Sequence, residues 1–215
     1  EQTAVITDER MLTFDGPLPT RDLDFAEQTI RIGTKGRARS VIRANKDKWL
    51  HPDLLMVKRT FQEGNHDRRA FFSFDLSDVD FENISSARLR LNQVPSGIGY
   101  ATRIPKVNQF GVYGMDHEAT ASWSESCSWE ESPAPEDGSL LGTFEVPRSR
   151  QDGSYGIKNE ELLQFLKSHA GSSVTFVLDR LTTQIPGEVP GLVHAFASDS
   201  HPEVSGPILE FVLKD

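Results

Sequence analysis

Basic and acidic side chains are segregated along this chain. Residues 30–59 contain nine lysines and arginines against two acids, Asp47 and Asp53, whereas residues 116–145 contain eight acids and no lysine or arginine. A cationic face on a protein of formal net charge −9 would concentrate anionic partners without making the whole surface adhesive. The same pattern also arises if the two blocks neutralise each other across the fold. The charges therefore predict either an anion-binding face or internal charge pairing.

The segment that must position these charges is 68–92, which reads RRAFFSFDLSDVDFENISSARLRLN. Side chains alternate between the two faces along a strand, so apolar residues on one parity form a stripe. Two such stripes occur here, Ala70, Phe72, Phe74 and Leu76 in the first and Ala87, Leu89 and Leu91 in the second. Turn-forming residues at 77–80 and Asn83 separate them. The segment predicts two strands of a sandwich, around which the rest of the chain packs.

Short strands are predicted along most of the remaining chain. They lie at 4–6, 11–14, 29–32, 39–43, 54–59, 107–113, 122–129, 138–146, 173–178, 192–197 and 208–213. One helix is predicted after the N-cap Asn159, because acidic residues follow it at once and an apolar face comes next; Gly171 ends this helix. Many short strands at regular spacing predict an all-β fold, an antiparallel β-sandwich of jelly-roll type with one short helix.

Length and composition limit the classes of protein to which the chain can belong. Residues 1–35 are expected to form an N-terminal extension that packs on a β-sandwich formed by residues 36–215, and the protein is expected to be a monomer. No run approaches the ~18 apolar residues of a membrane span. The net charge of −9 argues against general nucleic-acid binding. The single cysteine, Cys127, shares a parity with Trp123 and Trp129, which predicts a small buried side chain rather than a catalytic thiol.

A series of motifs between residues 38 and 213 carries a family resemblance. In chain order they are a hydrophobic–Lys pair (Val57-Lys58), a basic pair (Arg68-Arg69), F-D-L-S (74–77), I-S-S-A-x-L-R-L (84–91), W-S-E (123–125) with Trp129 and Pro133 behind it, G-S-L-L-G (138–142) and P-x-L (207–209). In this order they resemble the DNRLRE-type β-sandwich domains, the group that includes carbohydrate-binding module family 96.

The resemblance implies a bacterial module that is secreted or displayed at the cell surface and has no catalytic activity of its own. Such modules are joined to glycan-degrading enzymes, and family-96 members are associated with the polyuronate alginate. Binding in that family is attributed to lysines and arginines of the early strands and to a tyrosine nearer the C-terminus. Lys58, Arg68 and Arg69 match the basic positions by motif. The tyrosine has no clear counterpart, because the region near the last strands holds His194, Phe196 and His201.

The chemistry of a polyuronate fits basic strands. Each sugar carries one carboxylate, which arginine can bind with two parallel hydrogen bonds and lysine as a point charge. Alternate residues along a strand lie about 6.5–7 Å apart, a spacing that can match successive carboxylates. Trp49 and Tyr100 could stack on sugar rings. The candidate ligand-binding residues are Lys48, Trp49, Lys58, Arg59, Arg68, Arg69, Tyr100 and Arg103. The alternative is a solvated strand face whose cations pair with Asp53, Asp67 or Asp75.

Two other classes of function remain open. A polysaccharide lyase needs a group that neutralises the uronate, a base and an acid. Arg103, Tyr100 and His66 could fill those roles, although nothing in the sequence brings them together. The second alternative is a purely structural or adhesive surface module.

None of these functions requires a cofactor. Two D-x-D pairs in turn-like contexts are candidates for a structural calcium ion, since hard cations favour carboxylate oxygens; the pairs are Asp22 with Asp24 and Asp78 with Asp80. Pairs of this kind also occur simply as turn residues, so both roles stay open.

Overall fold

The computed structural model describes residues 28–45, 50–62, 64–115, 123 and 126–214. It also gives the backbone of two short strands near the N-terminus, β1 (Ala4–Ile6) and β2 (Leu12–Phe14), which pair with each other in antiparallel fashion. Lys48, Trp49, Asp22 and Asp24 lie outside the described residues.

Two antiparallel sheets form the body of the protein. The strands that follow β2 are β3 (Thr29–Gly33), β4 (Ala38–Ile42), β5 (Leu54–Val57), β6 (Arg68–Asp75), β7 (Ile84–Val94), β8 (Val107–Met115), β9 (Gly138–Pro147), β10 (Gly153–Ile157), β11 (Ser173–Arg180), β12 (His194–Ala197) and β13 (Ile208–Leu213); the helix α1 (Glu160–Ser168) lies between β10 and β11. One sheet, called the β7 sheet, has the order β3-β13-β7-β12-β5, with β10 also paired to β7. The other, called the β6 sheet, has the order β4-β6-β11-β8-β9. The prediction of an all-β antiparallel sandwich with one short helix is confirmed for the described residues.

The main hydrophobic core fills the space between the two sheets. Both predicted stripes contribute to it, from Ala70 to Leu76 on β6 and from Ala87 to Leu91 on β7. The Phe72 and Phe176 rings stack across neighbouring strands with their centroids 5.8 Å apart. Each buried aliphatic or aromatic side chain of this kind contributes about 1.5–3 kcal/mol, so the alternation that marks the strands also supplies much of the stability.

A second cluster covers the outer face of the β6 sheet. Phe71 packs there against Trp123, Cys127 and Val177, and the Trp123 indole donates a hydrogen bond to Ser73 Oγ at 3.0 Å. Burial raises the pKa of the Cys127 thiol, which keeps it protonated and is consistent with the predicted packing role.

The predicted strand at 122–129 is wrong over residues 126–129, which form turns. The Ser128 amide donates to Glu131 Oε2 at 3.0 Å, and the Ser132 amide donates to the Ser128 carbonyl at 3.0 Å. Local bonds of this kind compete with strand pairing, and the alternation of Trp and Ser gives no sign of them.

Two further elements show how local chemistry sets the fold. Asn159 caps α1 as predicted, since its Oδ1 accepts from the Leu162 amide at 2.9 Å. Strand β10 was not predicted, because its sequence GSYGI has no apolar alternation. It pairs with β7, and a Cβ at Gly156 would lie 1.9 Å from the Leu89 carbonyl oxygen, so glycine permits the close approach. The β7 sheet also includes β3, which lies within the expected extension 1–35.

Candidate functional site

Lys58 and Arg68 join the two sheets at one end of the sandwich. Lys58 follows β5 in the β7 sheet, and Arg68 opens β6 in the other sheet. The amide of each donates to the carbonyl of the other at 2.9 Å, which makes an isolated antiparallel bridge. The parities of the two strands differ here, since Ala70, two residues after Arg68, faces the main core, whereas on the other strand Val57, next to Lys58, faces it.

These two side chains line a cleft of about 620 Å³, called here the end cleft. Its other walls come from loops at the same end of the sandwich; their lining residues include His51, Thr60, His66, Ile98, Gln184 and Glu188. Lys58 and Arg68 are each only 4% exposed although they border the cleft. Two cations are therefore held at the cleft wall with little access to water.

Two more basic side chains lie in the interior near this end. Arg180 is at 0% exposure and pairs with Phe110, and His194 is at 1% and pairs with Val57; both partners belong to the main core. Arg180 Nη1 donates to the Leu192 carbonyl at 3.4 Å, while its Nη2 has no hydrogen-bond partner among the described residues. Neither ring nitrogen of His194 has such a partner there, and the ring stands edge-on to Phe110 at 5.0 Å.

Burial and mutual repulsion lower the pKa values of these groups. Burial, together with the charges of Arg68 and Arg180, lowers the pKa of Lys58 to about 8, and Asp67 acts in the opposite direction. Burial likewise lowers the pKa of Arg68 and that of Arg180 to about 10 each. Burial, assisted by Arg180, lowers the pKa of His194 to about 3, so this ring is neutral at pH 7. Near this end, therefore, Lys58, Arg68 and Arg180 are three buried cations opposed by two carboxylates, those of Asp67 and Asp179.

Asp67 has a structural task besides its charge. Its Oδ1 accepts from the Thr60 amide at 2.7 Å and from the Thr60 hydroxyl at 2.6 Å, and its Oδ2 accepts from the Gly64 amide at 3.3 Å. The carboxylate therefore shapes the loop between β5 and β6, and only part of its hydrogen-bonding capacity remains for the neighbouring cations. Asp75, another expected partner, accepts from the Ser77 amide at 3.0 Å in a turn.

Tyr100 and Arg103 support the loop that forms one wall of the end cleft. The Tyr100 amide donates to the Pro190 carbonyl at 3.1 Å, and the Tyr100 carbonyl accepts from the Leu192 amide at 3.1 Å. The Arg103 guanidinium donates to the carbonyls of Ile185, at 3.2 Å, and of Pro186. The Tyr100 side chain is 57% exposed. Arg103 therefore positions the wall, and Tyr100 presents an aromatic ring at the adjacent surface.

Arg59 and Arg69 lie instead in a smaller pocket of about 230 Å³ on the outer side of the β6 sheet, called here the edge pocket; Lys58 borders this pocket as well. Arg69 Nη2 donates to the carbonyls of Trp129, at 2.6 Å, and Ser132, at 3.0 Å, and its guanidinium lies 4.2 Å from the centre of the Trp129 ring. Arg59 Nη1 lies 3.4 Å from Asp179 Oδ2. Both arginines are thus engaged within the protein.

The structure brings the predicted residues into two groups. Lys58 and Arg68 line the end cleft with Tyr100 and Arg103 in its supporting wall, whereas Arg59 and Arg69 lie in the edge pocket. Sequence reasoning missed Arg180 as a member of the group, because an arginine that ends an apolar strand carries no signal of its own. His194 was noted only as standing where a tyrosine was expected.

Metal and membrane features are limited in the part of the chain that the structure describes. Those residues contain no group of three or more His, Cys, Asp or Glu side chains arranged to hold a metal ion. Asp80 accepts from the Glu82 amide at 3.0 Å and from Asn83 Nδ2 at 2.9 Å, as a turn residue does. Among the same residues, no helix has the length and apolar character needed to cross a membrane.

No protein-family model matches the chain, and no curated protein matches it either. The resemblance to DNRLRE-type domains stays a prediction, and a functional argument depends on the residues of the end cleft.

Proposed function

We propose that this chain is a non-catalytic carbohydrate-binding module that recognises an acidic polysaccharide of the polyuronate type, as alginate is. The ligand lies in the end cleft rather than on the open face of a sheet. One observation carries the proposal: Lys58 and Arg68, each 4% exposed, share a cleft wall with a third buried cation behind them. Like charges in a poorly hydrated place destabilise each other unless an anion compensates them.

The surroundings of the cleft fit a sugar acid better than a simple ion. Ile98 and Val189 add apolar surface to the lining, and Tyr100 offers an exposed aromatic ring beside it. Sugar rings present apolar faces that pack on such groups, while their carboxylates seek cations. Glu188, also in the lining, would repel a carboxylate placed next to it, which leaves the side of Lys58 and Arg68 for the anionic group.

The test is affinity electrophoresis in gels that contain alginate, pectate or a neutral glucan. We expect the protein to be retarded by the two polyuronates and not by the glucan, and Lys58→Met and Arg68→Met to abolish the retardation. Lys158→Met and Arg88→Met are matched controls, since both residues are exposed and lie outside the cleft lining. Equal retardation of all four variants would remove the end cleft from the binding site.

The non-catalytic part is tested in the same solutions. A lyase leaves an unsaturated uronate that absorbs in the ultraviolet, so growth of that absorbance with purified protein and alginate would contradict the proposal. We expect a flat trace.

A further inference from the structure

The arrangement of Lys58 and Arg68 suits one carboxylate rather than two. Residues that face each other across an antiparallel pair have Cα atoms about 4.5–5.5 Å apart, closer than the ~6.5–7 Å between alternate residues of one strand. The two side chains also line the same cleft. Their charged ends can therefore converge on a single anion, and they do not form a ladder along a polymer.

The donors in this place are incompletely used. Arg68 Nη1 donates to the His66 carbonyl at 3.0 Å, but its Nε is buried with no hydrogen-bond partner among the described residues. Arg180 Nη2 is in the same situation at 0% exposure. A buried donor without an acceptor costs about 1–3 kcal/mol, so a carboxylate that accepts from Arg68 would offset one such cost.

The shape of the cleft limits how a polymer can enter. Its volume of about 620 Å³ falls in the range of about 300–1,000 Å³ that is typical of small-molecule sites. The main core lies directly next to Lys58 and Arg68, because Val57 and Ala70 belong to that core. The core therefore closes the cleft on the side of Lys58 and Arg68, and a polymer chain cannot pass through that wall.

We infer that the end cleft binds one terminal uronate residue of the polysaccharide, with its single carboxylate shared by Lys58 and Arg68 and with Arg180 behind them as a positioning residue. This inference rests on the proposed function and specifies which part of the polymer is recognised. The remaining sugars leave through the open mouth. The amount of protein that a polymer sample binds then follows the number of chain ends and not the mass of polymer.

The first experiment is a thermal-shift titration at constant ionic strength with three probes: D-mannuronate, D-mannose and inorganic phosphate. We expect a saturable rise in Tm with mannuronate, none with mannose, and a smaller rise with phosphate, which offers the charge without the sugar ring. Lys58→Met and Arg68→Gln should remove the rise, whereas Lys158→Met should keep it.

The second experiment compares alginate fractions of different length at equal mass. Shortening the chains tenfold should raise binding per unit mass by roughly tenfold if ends are recognised, and leave it unchanged or reduce it if internal segments are. The inference is overturned if alginate is retained through Lys58 but mannuronate gives no response and binding does not depend on chain ends. That outcome leaves the proposed function standing. A response to mannuronate without retention of any polymer overturns the proposed function instead.

The role of Arg180 is tested through the pH profile, which a purely structural role would not move. Its charge lowers the pKa of Lys58, so Arg180→Met should let mannuronate binding persist to higher pH than in the parent protein. An unchanged upper limit, in a variant that still melts cooperatively, removes Arg180 from the site. If Arg180→Met does not fold, Arg180→Gln provides the same comparison.

Discussion

Lys58 and Arg68, ten residues apart in the chain, bond to each other through both main-chain groups at 2.9 Å and so tie the β7 sheet to the β6 sheet. The bridge places two like charges on one wall of the end cleft. A sandwich built for stability alone would carry apolar side chains at such a seam, since charges removed from water are costly. The energetic penalty at this point is therefore the basis of several measurable expectations.

Replacing Lys58 should stabilise the ligand-free protein. Lys58→Met keeps most of the volume and removes a charge that is poorly hydrated and repelled by Arg68 and Arg180. We expect the free energy of unfolding at pH 7 to rise by about 1–3 kcal/mol, as it does when other buried charges are replaced by apolar groups. Chemical denaturation measures the change. A loss of stability would mean that the Lys58 charge is compensated within the protein.

Alkaline pH should have opposite effects on stability and on anion binding. The pKa of Lys58 is about 8 in the folded state and 10.5 in the unfolded chain, so between these values the unfolded state binds more protons. The free energy of unfolding of the ligand-free protein should therefore increase as the pH rises from about 8 towards 10.5. Binding of an anion should weaken over the same range, because the neutral amine attracts it less.

Measuring both quantities on one sample gives the check. His51, His66 and Glu188 also line the cleft, and the charge of Asp67 acts on Lys58 and Arg68. In Lys58→Met both trends should be absent between about pH 8 and pH 9, below the range in which Arg68 and Arg180, with pKa values of about 10, lose their charges. Alginate retention that does not change between pH 7 and pH 10 would argue against Lys58 as a ligand.

Acid should destabilise the fold through His194. The pKa of this buried ring is about 3, against 6.5 in the unfolded chain, so the unfolded state alone takes up the proton between these values. The free energy of unfolding should fall as the pH drops from about 6.5 towards 3. His194→Phe, which keeps a ring beside Phe110, should flatten this part of the curve, whereas replacing the exposed His66 by Gln should leave its slope in place.

Arg69 is expected to matter for stability more than for binding. Its guanidinium donates to the carbonyls of Trp129 and Ser132 and lies over the Trp129 ring. Arg69→Ala should lower the free energy of unfolding by about 2–4 kcal/mol, because two buried acceptors lose their donor and a cation–π contact disappears. Under conditions in which the variant is folded, its retention on alginate should equal that of the parent protein, with exposed Arg88→Ala as the control for charge.

The parts of the fold that follow from local pattern were predictable. Alternation of apolar residues located β6 and β7, and the side chain of Asn159 located the start of α1. Strand β10 was not predicted, because Gly153 and Gly156 leave it without an apolar stripe. Its place in the sheet is set by pairing with β7. The turns at 126–129 were not predicted, because the residues alternate as in a strand while side-chain hydrogen bonds favour turns.

The candidate site was only half predictable for a related reason. Lys58 and Arg68 stood out by motif, but their approach to each other depends on a bridge between sheets, and ten residues of separation do not reveal it. Arg180 and His194 reach the same end through the registers Arg180–Phe110 and His194–Val57, which are properties of the assembled sheets. Arg69 shows the converse: it matches the motif as well as Arg68 does, but it lies outside the end cleft. As the next residue along β6, it points to the opposite face of the sheet.

The wall formed by residues 184–191 is fastened mainly through main-chain carbonyls and amides, including those of Tyr100 with Pro190 and Leu192. Contacts of that sort do not depend on which side chains the loop carries. Under the proposed function, exchanging Tyr100 or Val189 would then change the sugar preference while the wall keeps its shape. This end of the sandwich is consequently a scaffold on which natural variation or directed engineering could alter the surface of the cleft at little cost to folding.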